Sequence, residues 1–179
     1  MNTPLTPGTS AVPTTLEDFM AQALVMEQDA AARYTEFADM METHNNPEVA
    51  EWFRRMAVIE GKHATQIMAE MGWTQAPRHI ATLPVCEGFE SPESTPVEDV
   101  HYLMRPWHVL QLALANEERA ERFFAHLASV ATVESVRKAA LELQQEEREH
   151  VELVKAWMLK VPQPDPNWDH DPDPPRYDE

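Results

Sequence analysis

Cysteine is almost absent: Cys86 is the only one in 179 residues. A single thiol can close no internal disulfide and build neither a Cys-x-x-Cys metal knuckle nor a dithiol redox pair. Cys86 lies in a proline-rich stretch with no His or Lys beside it, so it reads as incidental rather than as a thiolate nucleophile. Glycine is also scarce, at 4 residues, and the sequence contains neither a phosphate-cradling glycine loop nor a nucleophile elbow. No run of about twenty apolar residues occurs, so no segment reads as a membrane span. Residues 1–15 are polar, without Lys, Arg or an apolar stretch of signal-peptide length, which predicts a cytoplasmic protein. Positive charge is short as well: 14 Lys plus Arg stand against 31 Asp plus Glu, a net charge of −17. That balance opposes nucleic acid and anionic membrane surfaces as partners and makes cations the natural ones.

What the chain does have is proline, 15 residues clustered outside the periodic segments. Thr14-Thr15-Leu16-Glu17 reads as a capping box that opens a first helix running to Thr43. Asn46-Pro47 supplies an N-cap and a first-turn proline for a second helix that reaches about Met71, before Gly72. Residues 73–97 carry four prolines and no sustained period, as expected of a long crossover. Thr95-Pro96-Val97-Glu98 opens a short helical piece that Pro106 interrupts. A third helix is predicted from Pro106 to Val130, and a fourth from a Thr132 cap to Lys160, where Pro162, Pro164 and Pro166 forbid continuation. The expected architecture is an all-α four-helix bundle over residues 16–161, two helical hairpins joined by one crossover, with a Pro/Asp-rich tail at 162–179.

Each helix carries an apolar stripe with steps of three and four, and each stripe is interrupted near its middle by acids or imidazoles. Met20, Ala23, Glu27, Ala30, Tyr34, Phe37 and Met41 form the first; Val49, Phe53, Met56, Glu60, His63 and Ile67 form the second. Leu110, Ala113, Glu117, Ala120, Phe124, Leu127 and Ala131 form the third; Val136, Ala140, Leu143, Glu147, His150, Val154, Trp157 and Val161 form the fourth. A helical Glu is usually a solvated surface residue, and one core His is usually a hydrogen-bonded packing residue. Neither reading accounts for four Glu and two His in core register, because an uncompensated buried carboxylate costs several kcal/mol. Two divalent cations would cancel the four negative charges.

The halves also repeat. Glu27-Ala30-Tyr34-Phe37 parallels Glu117-Ala120-Phe124-Leu127 at an offset of 90, and Met56-Glu60-His63-Ile67 parallels Leu143-Glu147-His150-Val154 at 87. A shorter turn in the second hairpin is expected to absorb the three-residue difference. One lone Glu on each of two helices and one Glu-x-x-His on each of the others is the ligand arrangement of ferritin-like di-iron and di-manganese carboxylate bundles.

With Glu27 followed by Tyr34 in Ala32-Arg33-Tyr34-Thr35-Glu36-Phe37-Ala38, and with the paired Glu-x-x-His, residues 15 to 160 resemble the rubrerythrin branch of the ferritin-like superfamily. The resemblance implies Glu60 and Glu147 as bridging ligands, Glu27 and Glu117 as terminal ligands, and one imidazole, His63 or His150, on each metal. It implies two iron ions; the carboxylate and imidazole ligands alone also suit manganese and do not exclude zinc. Two ions about 4 Å apart can bind both ends of a small oxidant, hydrogen peroxide or dioxygen, and share the electron load. A homodimer or small homo-oligomer is implied too.

Two departures qualify it. Rubrerythrins typically place a second Glu three residues after the first on helix 3, where this chain has Ala120, so the site is more similar to the six-ligand centre of bacterioferritins. They also append a four-cysteine rubredoxin domain; with Cys86 alone, electrons are expected from a separate donor protein or from ferrous substrate. An iron-oxidising protein and a bundle merely stabilised by metal are the alternatives to an oxidoreductase. A storage cage normally adds a fifth helix, which the proline-broken tail does not offer, so storage ranks below peroxide or dioxygen reduction.

Tyr34 has two readings, a donor of a proton or electron beside the site and a core aromatic. Glu118 and Glu121 read as solvated acids able to guide cations inward, and His44, His79, His101, His108, His126 and His170 as surface or loop residues. The tail composition suggests disorder, although Trp168 and Tyr177 offer a means of docking on a second subunit or partner.

Overall fold

The computed structural model describes residues 12–77, 95 and 97–171. Most of the crossover lies outside the described residues, as do Cys86, His79 and Tyr177. Four α-helices and no strand occur among the described residues: α1 (Leu16–Thr43), α2 (Pro47–Glu70), α3 (Pro106–Val130) and α4 (Glu134–Met158). A 3-10 turn, Val97–Asp99, precedes α3. The periodic stripes bury against one another as two hairpins, α1 along α2 and α3 along α4, giving the ferritin-like four-helix bundle.

Cap chemistry sets the boundaries. Thr15, one residue beyond the start expected from the Thr14 box, caps α1 by accepting from the Asp18 amide at 3.0 Å. Asn45 turns the chain between α1 and α2 at φ 55°, a left-handed conformation that Asn tolerates better than most residues. At the other hairpin Val133, not Thr132, occupies the cap position of α4, and no side chain bonds the free amides there. Both hairpin connections span three residues, 44–46 and 131–133. The offset between the halves therefore does not arise in the turn. From Glu27 to the end of α1 at Thr43 is 16 residues, whereas α3 ends 13 residues after Glu117, at Val130. The second hairpin has lost almost one turn of helix.

The core is divided at its waist. One apolar cluster, built on Phe19, Leu24, Ile67, Phe124, Leu127, Val136 and Leu143, fills one end. The other, built on Phe37, Met41, Val49, Phe53, Val109, Leu110 and Val154, fills the opposite end. Glu27, Glu60, Glu117 and Glu147 lie between them along every helix. Edge-on packing of Phe19 against Phe124, with ring centroids 6.2 Å apart, ties α1 to α3 below the waist. Trp52 meets Trp157 at 5.9 Å and ties α2 to α4 above it.

The tail does not leave the bundle directly. Trp168 packs on its own chain, its ring 3.9 Å from His108 and 5.5 Å from His101, while the Tyr102 hydroxyl donates to Asp171 at 2.5 Å. His108, expected at the surface, is buried as a result, and its Nδ1 accepts from the Arg105 amide at the start of α3. The aromatic face of Trp168 is thus used within the chain.

Asn46 fastens the turn of the first hairpin to the approach to α3. Its Oδ1 accepts from the Val49 amide at 3.4 Å, and its Nδ2 donates to the Tyr102 and Met104 carbonyls at 3.1 and 2.9 Å. A lost cap costs about 1 kcal/mol, and each net hydrogen bond about 1 kcal/mol. Asn46→Ala should therefore lower the unfolding free energy in urea by about 2–3 kcal/mol. Asn46→Asp, which keeps the cap but sets a carboxylate oxygen against the two carbonyl oxygens, should be no more stable than the alanine variant; an alanine variant within 0.5 kcal/mol of wild type, a typical surface change, would contradict this role.

Candidate metal centre

Glutamate is a good helix former, so its presence in α1 to α4 needs no local explanation; its register does. In each stripe the acid falls where a Leu or Met would continue the apolar face, and packing on both sides carries it inside. Glu27, Glu60, Glu117 and Glu147 are only 2–3% exposed. His63 and His150 follow Glu60 and Glu147 by three residues, nearly one turn, and so share their faces.

The six residues gather as two equivalent sets, one from each hairpin. Glu27, Glu60 and His63 bring ligand atoms within 4.8 Å of one another, and Glu117, Glu147 and His150 do the same. Nδ1 of His63 lies 3.3 Å from Glu27 Oε2 and 3.5 Å from Glu60 Oε2. Nδ1 of His150 lies 3.4 Å from both Glu117 Oε2 and Glu147 Oε2. The two imidazoles stack across the hairpin interface, centroids 4.3 Å apart and planes 9° from parallel. The two sets therefore form one centre.

The residues fit a pair of cations. Glu27 Oε2 and Glu117 Oε2 are buried without any hydrogen-bond partner, which for a carboxylate is costly unless a positive charge stands in. Burial pushes the Glu27 carboxyl well above its ordinary value, and the negative charges of Glu60 and Glu117 add to the shift. Burial also raises Glu60, although hydrogen bonding to His63 acts in the opposite direction. For His63, burial disfavours the charged ring, but Glu60 and Glu117 outweigh it and its pKa rises. Repulsion among the acids and attraction on the imidazole both express an excess of negative charge that two divalent ions would neutralise. Four oxygen ligands with two nitrogen ligands suit iron or manganese.

The surroundings include residues that the stripes did not single out. Tyr34 is buried, stacks on Phe53 with centroids 6.2 Å apart, and accepts a hydrogen bond from Asn116 Nδ2 at 2.8 Å. Asn116 Oδ1 in turn accepts from Thr95 at 3.0 Å and from Arg119. Asn116 adjoins Glu117 in the sequence; an Asn in mid-helix beside the acidic position was the available signal, masked by the simpler apolar period. Ala120, one turn on, is fully buried and leaves no ligand at the place of the additional rubrerythrin Glu. Glu121 is paired with Arg148 at 2.9 Å, while Glu118 lies 4.0 Å from Arg122 at the exposed surface of α3.

A helical bundle holding a waist of two Glu/Glu/His sets defines the class of di-metal carboxylate proteins. A rubrerythrin family profile matches residues 18–158, and the chain belongs to that family. It is also similar to an uncharacterized conserved protein from Magnetospirillum magnetotacticum MS-1, whose crystal structure at 2.00 Å resolution superposes with a TM-score of 0.62. The two share 35% identity over 84% of this chain and 98% of the other. No curated protein matches. No helix among the described residues is long and apolar enough to cross a membrane.

Without metal, Glu27, Glu60 and His63 bind protons more tightly folded than unfolded, so folding takes up protons. By linkage, the stability they contribute is present at low pH. It is lost as pH rises from the ordinary carboxyl value of 4.5 through the raised carboxyl values, and from 6.5 through the raised value of His63. The metal-free chain should melt at a higher temperature near pH 5 than near pH 8, and Glu27→Gln should flatten that slope. Divalent metal, which displaces the protons, should restore the melting temperature most at the alkaline end. Calorimetry across this range checks both, and a metal-free chain that gains stability toward pH 8 would contradict them.

Proposed function

We propose that this chain is a non-haem di-iron oxidoreductase that reduces hydrogen peroxide or dioxygen with electrons from a separate donor protein. The observation that carries it is the pairing of two pseudo-symmetric Glu/Glu/His sets across stacked imidazoles, in a chain of the rubrerythrin family. Two irons, when bound, supply two electrons to one O–O bond. By the family resemblance, Glu60 and Glu147 would be shared by the two ions, Glu27 and Glu117 would each hold one, and His63 and His150 would each supply one nitrogen. The apolar clusters on both sides keep bulk water from the reduced centre. Tyr34, held by Asn116 one heptad from Glu27, is the side chain assigned to deliver a proton or an electron near the site.

Ala120 favours a second reading. The missing carboxylate makes the ligand set more like that of an iron-oxidising centre, in which ferrous ion is the substrate and dioxygen the oxidant.

Protein loaded anaerobically should hold two irons per chain by elemental analysis, and Glu60→Ala or Glu147→Ala should remove more metal than Glu27→Ala. Stopped-flow oxidation separates the readings. A peroxide reductase in the di-ferrous form reacts much faster with hydrogen peroxide than with dioxygen and cycles with an external donor. Faster reaction with dioxygen, together with ferric product growing beyond two irons per chain, would overturn the first reading in favour of the second.

A further inference from the structure

Exposure around the centre is uneven. The side chains of the four carboxylates are 2–5% exposed, whereas those of His63 and His150 are each 16% exposed. Among the six described side chains, those on the imidazole side, at the seam between α2 and α4, are the ones that approach solvent. The orphaned oxygens of Glu27 and Glu117 lie at the inner end of this approach, each within 3.4 Å of an imidazole nitrogen.

The two flanks of that seam differ chemically. One turn from His63 stands Gln66, and one turn from His150 stands Glu146; Gln66 Nε2 donates to Glu146 Oε1 at 3.2 Å and to Glu70 Oε1 at 3.0 Å. On the other flank, the corresponding turns carry Ile59 and Leu153. The offset of 87 that maps Glu60 onto Glu147 also maps Ile59 onto Glu146 and Gln66 onto Leu153. The repeat that duplicates all six ligands is thus broken at this pair, which puts polar groups on one flank and aliphatic ones on the other. Glu146 is half-buried, unlike the solvated acids of the bundle surface, and it is not tied to an arginine as Glu121 is.

We infer that metal ions reach the centre through the Gln66–Glu146 side of the α2–α4 seam, with Glu146 as a positioning residue that draws the cation from solvent toward His63 and His150. This rests on the di-metal reading above. A carboxylate at the mouth of a low-dielectric passage concentrates cations there. Gln66 holds that carboxylate across the seam without neutralising it, as an arginine would. Glu121 on α3, by contrast, is paired with Arg148.

Cobalt(II), followed by its visible absorption in anaerobic stopped flow, tests the route in the full-length chain. Wild type should take up two ions. Glu146→Gln should take up the same two with the same spectrum but about tenfold more slowly, the lower end of electrostatic steering effects. Its uptake should also lose most of the wild-type dependence on ionic strength. Glu118→Gln, on another face, should match wild type in every respect. Equal rates in Glu146→Gln and wild type would overturn the inference, as would an altered spectrum or stoichiometry, since Glu146 would then be a ligand. A wild-type chain that takes up no cobalt would instead overturn the di-metal reading beneath it, and the route with it.

Discussion

Mutual repulsion among Glu27, Glu60, Glu117 and Glu147 at the waist of the core sets the terms on which the rest of the bundle is built. Four carboxylates almost without solvent would destabilise the folded state by several kcal/mol each if left charged and unpaired. The chain has two responses available, protons and cations. In the absence of metal, Glu27, Glu60 and His63 all shift toward the protonated form. Two divalent ions would compete with those protons for the same groups. Proton uptake and metal uptake are therefore competing solutions to one electrostatic problem, and the register of the helices poses it.

The apolar clusters on each side make that problem both severe and soluble. They carry the large aromatic residues, Phe19 and Phe124 at one end and Phe37 and Phe53 at the other, so the folding free energy comes from regions that the charges do not enter. Placing the acids between two packed ends fixes their backbone positions while leaving one oxygen each of Glu27 and Glu117 without a hydrogen-bond partner. That is the preorganisation a metal site needs: the protein has already met the cost of holding the ligands together before the ion arrives.

Most of this was legible in the sequence because it is periodic. The four stripes, the helix ends at Thr43, Pro47, Pro106 and Val130, and the six residues of the waist all follow from steps of three and four and from capping chemistry. What escaped is what periodicity does not encode. Asn116 bridges Thr95, which precedes α3, and Tyr34 on α1, and only the packing of one hairpin on the other brings Tyr34 within reach. His108 looked exposed because its cover, Trp168, comes from the tail sixty residues later. Glu121 suggested a guide for cations because its partner, Arg148, lies on α4 and cannot be assigned from spacing within one helix, whereas the Glu118–Arg122 spacing of four was readable. The three-residue offset was visible, but whether a turn or a helix absorbed it depended on where α3 ends, and helix ends are the least regular feature of a periodic sequence.

The failures of the internal repeat are as informative as the repeat. The six waist positions are duplicated without exception, so the two Glu/Glu/His sets begin as equals. Their surroundings are not duplicated: Tyr34 on α1 answers to Phe124 on α3, and Glu146 on α4 answers to Ile59 on α2. A hydroxyl thus stands on one half alone, while the polar flank of the seam draws one residue from each hairpin. A centre that only stabilised the fold would gain nothing from these differences, since charge neutralisation depends on the six ligands. A centre that exchanges protons, electrons or ions with its surroundings does gain, because access from one direction and delivery from another require that the two sides be chemically distinct. The asymmetry therefore agrees with the exchanging centre proposed above.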